Sequence, residues 1–370
     1  MSVNDDVIKV GVVSDADYMG RLFRDIQAAN DVNVSATVPL CMAPYFSLML
    51  HEAKGKTRTI DSSVFAEFSV EAEQICARAR HGLKLFEDTQ RPIDEQLQYF
   101  EDDILNKHSA EFLGNTWLKF ARRWERDLGL FTYDDVLVTT SHAAAFQLGV
   151  DADKLFQGDG GAYRFEIMRQ VGRCFAALGA RMDTQGGETF VCSLSGARMK
   201  SKDVLASPYY AKAFNGAATK AVINLALTDL QVRMNFINKV ITAGADIRNL
   251  EYTVFKIRYI TLYQVLSSLK LLKGDARYPL PLASSVALDN ILDTDSVRII
   301  MDGAARGFRN TLMHYNLLRS VDTTKVDLSR PIFGLVPQYF PAYDFGGLSE
   351  VVDTCIRETA SALNDWAGGV

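Results

Sequence analysis

Apolar residues recur at every third or fourth position over most of the chain, a spacing that predicts a mainly α protein. From Ser62 to about Glu87, Phe65, Phe68, Ala72, Ile75, Ala79, Leu83 and Phe86 define one buried helical face. Pro92 opens a second helical region, with Leu97, Phe100, Ile104, Phe112, Trp117, Phe120 and Trp124 as its apolar members. Near the start, Val7 to Val13 reads as a short buried strand, followed by a helix from Asp17 to Asn30.

The pattern changes between Thr139 and Leu194. Two short helical stretches, Ala143 to Leu148 and Asp151 to Phe156, flank the turn Gly149-Val150, and a longer helix runs from Tyr163 to Leu178. Two alternating stretches follow, Ala180 to Gln185 and Glu188 to Leu194, joined by Gly186-Gly187, a dipeptide suited to the positive φ of a tight hairpin. Helices followed by a two-stranded wing resemble a winged helix-turn-helix over residues 139–194. Arg164, Arg169, Arg173 and Arg181 are then the candidates for phosphate contacts.

The second half reads as a helical bundle. Ser207-Pro208 caps a helical region reaching to about Ala243, with a break expected at Gly216. Asn249 to Leu272 carries one stripe, Leu250, Val254, Ile257, Thr261, Val265, Leu269 and Leu272, and Gly274 stops it. A shorter helix near Ser284 to Leu292 follows the turn Pro279 to Leu282. Asp295 caps a helix to about Leu318, a Pro- and aromatic-rich loop spans Pro331 to Phe345, and the last helix runs from Ser349 to Trp366.

Length and composition fit a folded chain. With 370 residues, 48% hydrophobic and 23% charged, two domains are expected, 1–205 and 206–370. No apolar run reaches the roughly 18 residues of a membrane span, and the first residues lack a signal-peptide pattern, so a cytoplasmic protein without membrane contact is expected. Five Cys, spread singly, encode neither a disulfide framework nor a zinc knuckle, and read as reduced and mostly buried. The five His show no H-E-x-x-H, so neither metal nor other cofactor is expected.

The net charge of −5 hides a basic segment: residues 206–330 carry 16 Lys and Arg against 10 Asp and Glu. Within it lies Arg309-Asn310-Thr311-Leu312-Met313-His314, followed by Tyr315. Asn310 and His314 are four apart and share a helical face, so a polar strip interrupts a helix whose other members, Phe308, Leu312, Met313, Leu317 and Leu318, look like core. Burying a guanidinium without a partner costs several kcal/mol, so Arg309 must face a carboxylate, water or an anion.

These residues resemble the HEPN superfamily, whose signature is R-x4-6-H with Asn, Asp or His after the Arg. The stretch from Asp327 to Phe340 and the last amphipathic helix are also similar to bacterial members, so the resemblance covers roughly residues 207 to 370. It implies an α-helical bundle that dimerises, with two copies of the motif across the interface, and a metal-independent endoribonuclease. It also implies roles as toxin or phage-defence effector, with a separate antitoxin or regulatory protein as partner. The chemistry suits the residues: RNA carries its own nucleophile, the 2′-hydroxyl. An imidazole at His314 is poised for acid–base work, and Arg309 for the phosphoryl oxygens. Asn310 can orient either. Arg306, Tyr315 and Arg319 are the candidate substrate contacts.

Two other motifs are incomplete. Gly55-Lys56-Thr57 resembles the end of a P-loop, but Leu50 stands where the upstream Gly is required. Ser14-Asp15-Ala16-Asp17 is similar to the S-D-x-D of small nucleotidyltransferases, without the Gly-Ser that precedes it there. The rival functional expectations are a non-catalytic dimeric nucleic-acid-binding module built on the winged helix, and a structural or assembly protein, since 21 Phe and 14 Tyr suit large interfaces.

Overall fold

The computed structural model describes residues 2–57, 68–87, 93–107, 126–149, 160–180, 187–216 and 221–368. Among them are fourteen α-helices and one small antiparallel sheet, so the fold is mainly α with a small β-hairpin.

Helix α1, Val3–Ala28, contains the run expected to be a strand. A short apolar run does not distinguish strand from helix, and here the start is decided by a capping box, in which Ser2 and Asp5 bond each other's backbone N–H. Asp15, Arg21 and Asp25 are buried beside its apolar residues, which masks the helical stripe. Helix α2, Val32–Thr57, is continuous through Pro39 and Pro44. Interior prolines normally break a helix, and the sequence pattern predicts none here. Packing of Val38, Met42, Phe46 and Met49 in the core outweighs that local preference. Contrary to expectation, Val32–Lys56 is long and apolar enough to cross a membrane, although two-thirds of that apolar stretch is buried inside the fold, as in a core helix.

Helix α3, Val70–Lys84, starts at Ser69, whose hydroxyl accepts from the Ala72 N–H at 3.1 Å. The expected start at Ser62, with Phe65, lies outside the described residues. Helix α4, Ile93–Tyr99, runs into a π-helical segment, Phe100–Lys107, while Phe112, Trp117, Phe120 and Trp124 lie outside the described residues.

The hairpin is not where the sequence places it. Strands β1, Leu128–Tyr133, and β2, Val136–Thr140, are joined by Asp134 and Asp135, both at positive φ, the conformation a two-residue turn requires. Strand β3, Met199–Val204, pairs with the other edge of β1, giving the order β2-β1-β3. The expected second wing strand is a 3-10 turn at Phe190–Ser193, and residues 181–186, with Arg181, lie outside the described residues. Helix α5, Ser141–Leu148, and helix α6, Gly160–Ala180, agree with the periodicity, whereas the stretch Asp151 to Phe156 lies outside the described residues. The winged-helix reading thus loses its wing.

Helix α7, Ala206–Lys212, starts one residue before the expected cap, and the break expected at Gly216 is a 3-10 turn, Ala213–Gly216. Helix α8, Ala221–Asn235, continues as a π-helical segment, Phe236–Val240. Helix α9, Tyr252–Gly274, is buried on all faces from Thr253 to Leu269 rather than on one stripe. It can hold Lys256 and Arg258 there because both are paired, with Asp15 and Asp353 at 2.6 Å each. Helix α10 is Leu282–Leu292.

The helix expected from Asp295 to Leu318 is two. Helix α11, Asp295–Ile300, is capped by Thr294, and helix α12, Gly303–His314, by Asp302, whose carboxylate accepts from the Gly303 N–H at 2.6 Å. Helix α13, Val336–Tyr339, lies in the Pro-rich loop, and α14, Phe345–Ala367, closes the chain.

Among the described residues one hydrophobic core runs from Val7 to Trp366 and includes residues on both sides of position 205. Across that boundary Asn235 donates to the Leu137 carbonyl at 2.8 Å, Gln147 to Asp229 at 2.8 Å, and Arg233 to the Gly82 carbonyl at 2.9 Å. The basic segment is also less of a surface than its count implies. Arg233, Lys256 and Arg258 are buried in ion pairs, two of them with acids outside the segment. All five cysteines are free; four are buried and Cys192 is exposed.

Candidate active site

Helix α12 ends at His314 because Tyr315 adopts the left-handed conformation, φ 54°. The Tyr315 ring turns inward and is 1% exposed, packed where a Cβ on Gly11 would stand 2.7 Å from it. Its hydroxyl donates to Asp15 Oδ2 at 2.5 Å. Asp15 also accepts from Lys256 Nζ at 2.6 Å and from Thr253 Oγ1 at 2.8 Å, and the Lys256 ammonium lies 3.8 Å from the Tyr315 ring centroid. Burial, with Asp15 beside it, pushes the Tyr315 phenol well above its ordinary pKa. Burial also lowers that of Lys256, against the pull of Asp15. Tyr315 is therefore an anchor for the end of α12 and not a substrate contact.

Anchoring Tyr315 leaves His314 at the rim, its side chain 34% exposed. Its Nδ1 lies 3.0 Å from Oε2 of Glu52, on α2. A carboxylate only accepts, so Nδ1 carries the proton. Among the described residues no hydrogen bond engages Nε2. Arg80, on α3, stands 2.7 Å from Glu52 Oε1. Burial alone would raise the Glu52 carboxyl; the hydrogen bond and charge of His314, with Arg80, outweigh it and hold the pKa below its ordinary value. The site thus has a fixed, ionised carboxylate behind a half-exposed imidazole. His51, next to Glu52, is half-buried, and burial and Arg80 lower its pKa.

Arg309 and Asn310 are joined to each other rather than to His314. Arg309 donates to Asn310 Oδ1 at 2.8 Å and lies over the Tyr263 ring, 5.1 Å from its centroid. Both are half-buried on α12, while Arg306 and Arg319 are exposed. Lys56, the last Lys of α2, donates from Nζ to Asn316 Oδ1 at 2.8 Å. No family model, curated protein or solved structure matches the chain.

The arginines expected on a duplex are elsewhere. Arg169 pairs within α6 with Glu166, at 2.5 Å, a carboxyl that this contact holds down at about 2. Arg173 is exposed on the same helix, and the side chain of Arg164 lies outside the described residues. Among the described residues, no group of three His, Cys, Asp or Glu is placed to hold a metal ion.

Glu52 and Arg80 escape a motif search because neither is near His314 in the chain. One local signal exists: Glu52 lies between the apolar run Leu48 to Leu50 and Ala53, and a carboxylate in such a setting needs a partner.

Proposed function

We propose that this chain is an endoribonuclease of the HEPN kind, cleaving single-stranded RNA by attack of the 2′-hydroxyl. The reading is supported above all by the Glu52–His314 pair, which presents an imidazole with one nitrogen anchored on a buried carboxylate and the other, among the described residues, without a hydrogen bond.

In this reaction neutral Nε2 of His314 takes the proton of the 2′-hydroxyl as O2′ attacks phosphorus. Glu52 keeps the imidazole in the tautomer this requires and stabilises the imidazolium that results. The P–O5′ bond breaks, leaving a 2′,3′-cyclic phosphate and a 5′-hydroxyl. Arg309, the cation within the motif, holds the non-bridging oxygens, and Asn310 accepts a hydrogen bond from its guanidinium. One imidazole cannot be acid and base at once, so the proton for O5′ comes from a second copy of the motif in a homodimer. Because the ribose supplies the nucleophile, the step needs no metal-bound water.

The test is cleavage of labelled single-stranded RNAs with a chelator present, reading the product ends. Cleavage to 2′,3′-cyclic phosphate termini, abolished by His314→Ala with an unchanged melting temperature, is expected. Absence of cleavage by the wild type, or full activity in the variant, overturns the reading.

A further inference from the structure

Resting on that reading, we propose that Lys56 is a second phosphate-holding residue of the site, reaching the RNA backbone beside the phosphodiester at His314. Glu52 and Lys56 are four apart on α2 and share one helical face. Glu52 holds His314 at 3.0 Å, and Lys56 holds Asn316 at 2.8 Å. His314 and Asn316 flank Tyr315, whose ring is buried, so one ridge of α2 clamps both residues that the end of α12 leaves at the surface.

The partner of Lys56 is a neutral carboxamide on an exposed residue, and among the described residues no carboxylate pairs with its ammonium. The neighbouring cations differ: Lys54 is bonded to Glu73 at 2.5 Å and Arg80 to Glu52 at 2.7 Å. A carboxamide satisfies one of three ammonium protons and neutralises no charge, so a cation remains at Asn316, two residues past His314. Gly55-Lys56-Thr57 forms the last turn of α2, not a phosphate loop, yet its lysine stands one helical turn from the carboxylate that orients His314.

An RNA strand is recognised by such a cation through its phosphates, whatever its sequence. The experiment measures binding of a 2′-O-methyl RNA, which cannot be cleaved, over a range of salt concentrations. It compares the wild type, Lys56→Gln, Lys56→Arg and Asn316→Ala. The expected result is about tenfold weaker binding of Lys56→Gln at low salt, with a salt slope smaller by about 0.7, the loss of one phosphate contact on a single strand. Lys56→Arg and Asn316→Ala should bind as the wild type.

A wild-type slope in Lys56→Gln overturns the proposal. So does equal weakening by Asn316→Ala, which would make Lys56 a pin for the turn. A wild type that cleaves unmodified RNA while Lys56→Gln keeps its slope removes the role of Lys56 alone. A wild type that neither cleaves nor binds RNA removes both the role and the reading beneath it.

Discussion

Glu52 and His314 are 262 residues apart in the chain and 3.0 Å apart in space, joining a helix of the first half to the end of a helix in the second. The pair decides which imidazole nitrogen carries the proton. Glu52→Gln keeps the shape but removes the charge that stabilises an imidazolium. We expect kcat on single-stranded RNA to fall about 10- to 100-fold with little change in KM. Single-turnover cleavage checks this, and an unchanged kcat would deny Glu52 a positioning role.

The same carboxylate predicts a pH dependence of stability. Its pKa is lower in the folded chain than its ordinary value of about 4.5, so near that pH the unfolded chain binds more protons. The stability it contributes is complete above about pH 4.5 and is lost as pH falls through the folded value. Urea unfolding of the wild type and Glu52→Gln should therefore show a gap at neutral pH that narrows in acid. A gap that widens in acid contradicts the assignment.

His51 adds a second limb. Burial and Arg80 lower its pKa below the ordinary 6.5, so the folded chain favours the neutral ring. Its contribution is present above about pH 6.5 and is lost as pH falls through the folded value. His51→Gln should flatten the stability profile of the wild type between neutral and mildly acidic pH, read by the same unfolding curves.

Asp15 accepts from Lys256, Thr253 and Tyr315 in the core. Asp15→Ala strands a buried ammonium and should destabilise the protein by about 3–5 kcal/mol. Tyr315→Phe removes a single hydroxyl and should lose about 1–3 kcal/mol, since the hydrogen bond is to a charged group. Denaturant midpoints rank the two, and a milder effect of Asp15→Ala would refute the shared-acceptor account.

Gly149 ends α5 at φ 64°, where a Cβ would stand 2.6 Å from the backbone N of Ala79 on α3. Gly149→Ala combines a disfavoured conformation with a backbone clash and should lower stability by about 2 kcal/mol or more. Gly20, where an added methyl would meet nothing within 4 Å, is the control, and Gly20→Ala should be neutral or stabilising.

Local information was enough for the elements whose pattern is local. The stripe at Ala72, Ile75, Ala79 and Leu83, the Gly149 turn and the last amphipathic helix are legible because caps and a 3.6-residue period act within one or two turns. That period also places Asn310 and His314 on one face of α12. What the chain does with buried charge was not legible. Asp15 interrupts the apolar pattern of α1, and Lys256 lies off the stripe expected for α9 yet is buried there; each is tolerable because the other sits 2.6 Å away. Pro39 and Pro44 argue against α2 until the core packs around it. The orientation of His314, likewise, rests on Glu52 from a helix that the sequence pattern does not predict. A pairing between distant residues has no period and no spacing, so only the tertiary structure decides it.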